Sequence, residues 1–500
     1  MSTPAEMSCA EDRSVAVPLD AEPVQATRIV VIGAGAAGLV ASRELERRGH
    51  DVTVLESRRA VGGRIRTHRF GSVQPGPLVE LGAMRIPGAH ERTMALIREL
   101  GLGSRLRPFL TLFSDDRTFV HTAVGHVQVR DAPPVLVQQL RSRLPAADHR
   151  EDTVRFAAWL AASATATAPA DFAHAMSDDV LRELLTFVDG IDVRPYLGTR
   201  WSGGVDLNTF FTDHSRAAMQ HGGRLLSFFA DMAAETSLPL SRLTGGMDQI
   251  AHRLAAGLRG DILVGHEVVG IDVHARGVRL IVRNGAEVTV MECDAVVCTV
   301  PFSVLRHIAL RGLHPDKLEL IHDMAYWPGT KIALLCREPF WQRDGIMGGA
   351  SFTGGVVRQT YYPPVEHDPV HGAALLASYS IGTDAQVLDD MDPATRTSVV
   401  LDELSAIHPQ LSRPGMVREV VTRSWGQDRW SHGAAAARWG KDPGTCEDER
   451  LLAARPEGRL LFAGEHCSSY PAWIEGAVES AREVVRHIRL PAAARAGRIG

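Results

Sequence analysis

What this chain can fold into is constrained most tightly between residues 28 and 56, RIVVIGAGAAGLVASRELERRGHDVTVLE. The first five residues are a short apolar run of β-branched character, suited to a buried parallel strand. Gly33, Gly35 and Gly38 follow in the spacing G-x-G-x-x-G. In that pattern the first glycine permits a tight turn and the second lets backbone approach a pyrophosphate. The third lets the next helix pack close to the sheet. The spacing predicts a helix from about Ala36 to Arg48. Ala36 and Ala37 stand in its first turn, where free N–H groups and the positive dipole end face phosphates. Gly49 ends the helix, and Asp51 to Leu55 reads as a second strand. Glu56, followed by Ser57, closes that strand, where a carboxylate can accept from ribose hydroxyls. A glycine-rich turn alone is common in α/β proteins. Strand, glycines, helix, strand and acid in this order predict a dinucleotide site. An acid at this strand end disfavours a 2′-phosphate, so FAD and NAD remain and NADP recedes.

At 500 residues the chain exceeds what one core accommodates, so two or three domains are expected. A formal charge of −5 gives no electrostatic reason to expect nucleic acid or an anionic membrane as partner. The six cysteines, Cys9, Cys293, Cys298, Cys336, Cys446 and Cys467, form no C-x-x-C pair. That pattern suits free thiols in a reducing cytoplasm better than a disulfide framework or zinc site. No pair among the 21 histidines has metal-ligand spacing, so no metal is expected. No apolar run is long enough to span a bilayer. The first 26 residues lack a basic start and an apolar stretch, so they are read as a mobile extension and not as a signal peptide.

After Glu56, the loop SRRAVGGRIRTHRF can bring Gly62, Gly63 and Arg64 to a pyrophosphate. LVELGAMRIPG is a short strand entering a glycine turn, with Arg85 in apolar company, and Gly82, Ala83, Met84 and Arg85 are candidates for contact with the dinucleotide. A helix is expected from Glu91 to Leu100. Residues 134–240 read as helical, with Val180, Leu181, Leu184, Leu185 and Val188 on one face. AASATATAPA is read there as a linker between helices. From Asp261 the period becomes two, predicting four or five strands with Arg-Gly and Asn-Gly turns. The last of them, Ala295 to Val300, includes Thr299. Alternating strands from Lys331 to about Ile381 suggest a second sheet. GRLLFAGEH is again a buried strand with a glycine turn, and WIEGAVESAREVVRHI carries an apolar helical stripe from Ile474 to Ile488 through Ala477. A second strand–glycine–helix junction so far along implies a nucleotide domain assembled from both ends of the chain.

Taken together, VIGAGAAGL…LE, RAVGGRI, ELGAMRIP, LTGGMDQI, DAVVCTVP, GTKIALLCREPFW, TYYPP and LLFAGEH…WIEGAVESA resemble the flavin amine oxidases, and within them the L-amino-acid oxidases. The resemblance runs from about Arg28 to Ile488. It implies FAD and an α/β fold with a Rossmann-type FAD-binding domain assembled from discontinuous segments, at 27–70, 241–305 and 440–490. A mixed-sheet substrate domain is implied at 71–105 and 306–439, and a helical insertion domain at 106–240.

By that resemblance Glu56 holds the adenosine ribose and Val268 the adenine edge through its backbone. Gly63 and Arg64 sit by the pyrophosphate, and Gly464 and Glu465 lie where the second glycine turn meets the phosphates. The helix beginning near Trp473 points its N-terminus at the flavin. Arg85 matches the arginine that binds a substrate α-carboxylate, and Tyr362, helped by Tyr361, the tyrosine that bonds the same group. The carbonyl of Ala472 and the ring of Trp473 face the amine and Cα. Lys331 matches the lysine that holds a water near flavin N5. Trp327 and the small residues from Ala434 to Ala437 are candidates for a side-chain pocket that admits a large apolar group.

Two departures carry consequences. The segment SHGAAAARWG replaces the Gly-Gly-Cys-Tyr stretch through which some relatives attach FAD, so non-covalent FAD is expected. A helical-domain histidine proposed as base in some L-amino-acid oxidases falls near Ala230, with His214 and His221 out of register. The activity implied is oxidation of an L-amino acid by O2 to a 2-oxo acid, ammonia and hydrogen peroxide, by a cytoplasmic homodimer. Alternatives on the same scaffold are a decarboxylating monooxygenase and an oxidase of amines that lack a carboxylate. An FAD-binding interaction protein without turnover is the alternative from another class.

Overall fold

The computed structural model describes residues 24–489 apart from 74, 145–148, 169–176, 199–204, 208, 212, 215–239 and 439–440. The apolar run forms the strand Arg28–Ile32, and the helix Ala36–Arg47 follows directly on the glycine turn. Strand Asp51–Glu56 returns parallel to the first, pairing Arg28 with Asp51 through Ile32 with Leu55. Later segments complete a five-stranded parallel sheet in the order Ile262–Val264, Asp51–Glu56, Arg28–Ile32, Ala295–Cys298, Leu460–Phe462.

Alternation along Arg28–Ile32 explains why this run is apolar throughout. Ile29 and Val31 face a core shared with the helices Ala36–Arg47 and Ile474–Arg486. Val30 and Ile32 face the opposite core, with Val268, Leu280 and Phe302. A parallel sheet covered on both faces needs no polar side. Five strands do form after Asp261, but they divide. The first and last join the parallel sheet, while Glu267–His274, Gly277–Asn284 and Glu287–Cys293 pair antiparallel in a separate sheet, to which Ala309–Arg311 adds a parallel edge strand.

The second large sheet has seven strands, ordered Val417–Ser424, Gly329–Cys336, Ala373–Ile381, Gln359–Tyr361, Ala350–Phe352, Phe119–Thr122 and Gly125–Gln128. Its pairings are antiparallel except between Phe352 and Val120. The hairpin Phe119–Gln128 lies in the stretch assigned by the resemblance to a helical insertion domain, 106–240, so this sheet reaches past residue 106.

Helices Ala132–Arg143, Glu151–Thr167 and Asp178–Asp189 surround their own core, which includes Leu136, Phe156, Trp159, Leu184 and Phe210. The stripe from Val180 to Val188 is buried as its spacing requires. The expected linker AASATATAPA is instead helical through Thr167, with Ser163, Ala164 and Ala166 buried. Alanine favours helix more than any other residue, and low complexity does not oppose it. The rest of that segment begins at 169, outside the described residues. Val24–Gln25 pairs in parallel with Ile488–Arg489 and Ala26 is buried, so residues 24–26 belong to the fold and not to the expected extension. Among the described residues no helix is long and apolar enough to cross a membrane, and no side-chain group could hold a metal ion.

Candidate active site

A cavity opens where the parallel strands end and both flanking helices begin. Gly33, Gly35, Ala36 and Ala37 line it from the first helix turn, and Trp473, Ile474 and Ala477 from the start of Ile474–Arg486. Two helix N-termini therefore address one space, each with a positive dipole end. The glycines divide into two roles. A Cβ on Gly38 would stand 1.8 Å from the Gly33 carbonyl oxygen, and one on Gly33 2.6 Å from Thr299 Oγ1. Both are packing requirements, and Gly38 does not reach the cavity. A Cβ on Gly35 would meet nothing nearer than Gly63 Cα at 3.9 Å. It would project into the space where backbone can approach a ligand. This cradle, with Arg64 at its rim, fits the pyrophosphate of FAD.

The strand-end acid is in place for a ribose. Glu56 Oε2 accepts from the Ala34 N–H (2.7 Å) and Oε1 from the Arg58 N–H (2.8 Å), which leaves each oxygen a further lone-pair direction. Burial raises its carboxyl above the ordinary value, against those two bonds. Ser57 and Thr299 also line the cavity. Val268 does not line the cavity. Its side chain is in the core, two residues past His266, whose N–H donates to the Glu56 carbonyl at 3.0 Å.

Gly464 and Glu465 also border the cavity. Glu465 accepts from Arg64 Nη1 (2.8 Å), the Ala472 N–H (3.1 Å) and the Ala436 N–H (3.3 Å). Burial alone would raise its carboxyl; the Arg64 charge and these bonds outweigh it and hold the pKa below the usual value. Ala472 has φ +69°, a left-handed conformation strained for a residue with a Cβ. Glu465 thus holds the strained turn that delivers Trp473 and the closing helix to the cavity.

Gly82, Ala83, Met84 and Arg85 form the opposite wall. Arg85 is 9% exposed, with its guanidinium 5.9 Å from the ring centres of both Phe109 and Trp473. Arg85 Nη1 donates to Tyr361 Oη at 2.8 Å, and Tyr361 donates in turn to Gln359 Oε1 at 3.0 Å. The expected partner Tyr362 is elsewhere. Its hydroxyl bonds Ser351 Oγ and His408 Nε2, each at 2.7 Å, within the core of the seven-stranded sheet. Successive strand residues face opposite sides, so only one of two adjacent tyrosines can reach Arg85. Period two places Gln359 and Tyr361 together, a signal that favours Tyr361. Sequence reading also missed Gln359, Thr167 and Tyr379, which line the cavity.

Lys331 is buried beside this wall. Nζ donates to the Gly82 carbonyl (2.7 Å), the Glu80 carbonyl (3.3 Å) and Met84 Sδ (3.4 Å), and stands 4.6 Å from the Tyr379 ring centre. Burial first, and Arg85 second, lower its pKa to about 7, with Glu80 opposing. An unfolded lysine titrates near 10.5, so this group's contribution is fully favourable above that pH and is lost as pH falls toward about 7. Lys331→Met removes the penalty. Its gain in thermal midpoint over the parent should be largest near or below pH 7 and shrink toward pH 10.5. Melting curves in which the gain grows with pH would contradict this.

Trp327 and Ala434 complete the cavity, and the strand pair Tyr326–Trp327 and Ala435–Ala436 fixes them. Of the histidines weighed, His214 bonds Tyr196 Oη at 2.9 Å in the helical core, away from the cavity. His221 and Ala230 lie outside the described residues. No described cysteine lines the cavity.

Cradle, acid-capped strand and adjoining chamber define a dinucleotide-dependent oxidoreductase. The chain belongs to the flavin containing amine oxidoreductase family, whose model matches residues 36–489, and its cofactor is FAD. It is 55% identical to the flavin-dependent L-tryptophan oxidase RebO of Lentzea aerocolonigenes, over 92% of this chain and 98% of that protein. An L-amino-acid oxidase of Echis ocellatus is 28% identical over 92% of this chain and 88% of its own length. Among solved structures, a putrescine oxidase aligns with TM-score 0.64 and 19% identity, over 93% of this chain and 98% of that one, which is a likeness of fold.

Proposed function

We propose that this chain is an L-amino-acid oxidase acting on substrates with a large aromatic side chain, L-tryptophan foremost. The net reaction converts L-amino acid, O2 and water to 2-oxo acid, ammonia and hydrogen peroxide. The observation that carries this reading is Arg85, a buried guanidinium at the cavity wall between two aromatic rings. A carboxylate leaving water for such a chamber needs a strong partner, and a guanidinium offers two parallel charge-assisted bonds. Identity of 55% with an L-tryptophan oxidase supports both the carboxylate and the aromatic side chain.

Bound FAD supplies the two-electron chemistry between the substrate Cα–N bond and O2. The chain's own part is placement. Arg85 grips the carboxylate, and Trp473 walls the space beside it. The Ala472 carbonyl, at a left-handed turn beside the cavity, is the acceptor assigned to the amine. Trp327 and Ala434 border room for the side chain. Lys331, poised near neutrality, can hold a water or exchange a proton at Nζ.

Purified holoenzyme supplied with L-tryptophan and catalase should yield ammonia and indole-3-pyruvate, with the carboxyl carbon retained. Catalase is needed because peroxide itself decarboxylates 2-oxo acids. Mass spectra showing an amide one carbon shorter would replace this reading with the decarboxylating monooxygenase.

A further inference from the structure

We infer that Gln359 is a positioning residue that commits the single proton of Tyr361 and thereby aims Arg85 at the substrate carboxylate. The inference rests on the amino-acid reading above. Gln359 is 5% exposed, and its Nε2 lies 2.7 Å from the Ala166 carbonyl. A carbonyl only accepts, so the amide nitrogen must face it, and Oε1 must face Tyr361. Tyr361 therefore donates its one proton to Gln359 at 3.0 Å, and its oxygen receives Arg85 Nη1 at 2.8 Å. A guanidinium only donates, so each bond in the chain Arg85–Tyr361–Gln359–Ala166 has one possible direction. Tyr361 has no proton left for the carboxylate. It orients the arginine, unlike the tyrosine expected from the resemblance, which bonds the substrate itself.

The far end of this chain is fixed as well. Arg358 Nη2 donates to the carbonyls of Thr165 (3.0 Å), Ala166 (3.4 Å) and Ala168, while Nη1 pairs with Asp384 at 3.1 Å. A cation at the C-terminal end of Glu151–Thr167 suits the helix dipole and holds Ala166 against the strand Gln359–Tyr361. Thr167, next in sequence, borders the cavity. The helical region thus reaches the carboxylate site through Gln359.

The test measures ligand binding to the oxidised holoenzyme by flavin absorbance. One probe is indole-3-propionate, which keeps the carboxylate; the other is tryptamine, which lacks it. Gln359→Glu is isosteric. Protonated, it still donates to Ala166 and accepts from Tyr361. Ionised, it repels that carbonyl and competes for Arg85. The charged and titratable groups around this position are Arg85, Lys331, Tyr361, Tyr379 and the Arg358–Asp384 pair, with Glu80, raised by burial to about 7, beside Lys331, and wild type carries all of them. Between about pH 5 and about pH 9, Gln359→Glu should lose about tenfold more indole-3-propionate affinity than wild type, with tryptamine unaffected. Gln359→Met, which breaks both bonds, should bind the carboxylate about tenfold more weakly throughout. If Gln359→Met does not fold, the glutamate variant decides. A Gln359→Glu profile that follows wild type overturns the inference while leaving the function intact, provided Arg85→Ala abolishes carboxylate binding. Wild type that binds tryptamine but not indole-3-propionate defeats the amino-acid reading itself.

Discussion

Arg85→Ala is expected to lower kcat/KM for an aromatic L-amino acid by about two to four orders of magnitude. The guanidinium is buried against Phe109 and Trp473, so its partner carboxylate is desolvated when bound. Removing one member of such a pair costs about 3–5 kcal/mol, because the remaining charge is stranded, and about 1.4 kcal/mol is a factor of ten. Arg85→Lys restores charge but neither the planar fork nor the bond to Tyr361, so it should recover only part of the loss. The decarboxylated amine provides the control. It should be a poor substrate for wild type and lose little on Arg85→Ala. Steady-state rates in which the alanine variant keeps amino-acid turnover, or in which amines outcompete amino acids in wild type, would move the chain to the amine oxidases that need no carboxylate.

That Arg85 could be singled out from sequence, and Gln359 could not, follows from where each one's constraints lie. The glycine fingerprint is local. Gly33 and Gly38 are required by contacts with Thr299 and with one another, and the strand–turn–helix geometry repeats wherever a pyrophosphate is cradled. GAMRIP was readable through its resemblance to the L-amino-acid oxidases, and the apolar neighbours of Arg85 pointed to its burial. Choosing between Tyr361 and Tyr362 needed the strand register, which the motif TYYPP does not contain. The partners that hold Tyr362, Ser351 and His408, lie on other elements. Gln359 and Tyr379 acquire meaning only through pairing across the sheet, where Tyr379 stands opposite both Lys331 and Gln359. The hairpin Phe119–Gln128 is of the same kind. Its attachment to Ala350–Phe352 is a long-range contact that no local pattern announces. AASATAT failed for another reason, since alanine's preference for helix was given less weight than its low complexity.

The second large effect is expected at Arg64, where the cradle meets the closing helix. Arg64 Nη1 donates both to Glu465 (2.8 Å) and to the Ala434 carbonyl (3.0 Å), joining the glycine loop to two segments from the far end of the chain. The pair is asymmetric: the Glu465 side chain is 6% exposed and that of Arg64 25%. Arg64→Leu therefore strands a buried carboxylate, at a cost of about 3–5 kcal/mol, and removes a cation from the pyrophosphate cradle. Glu465→Gln leaves a partly hydrated guanidinium and can still accept from the Ala472 and Ala436 N–H groups, so it should be much the milder change. The severe variant should also carry a pH signature. Without Arg64, burial dominates and the Glu465 pKa rises above its unfolded value, so the lost stability is regained on acidification and deepens as pH rises through the folded pKa. Retention of FAD through gel filtration and the thermal midpoint are the measurements. Arg64→Leu should shed FAD with a dissociation constant raised by about two to three orders of magnitude, while Glu465→Gln retains it. Equal losses in the two variants would mean that a stranded buried charge is not what costs Arg64→Leu its cofactor and its stability.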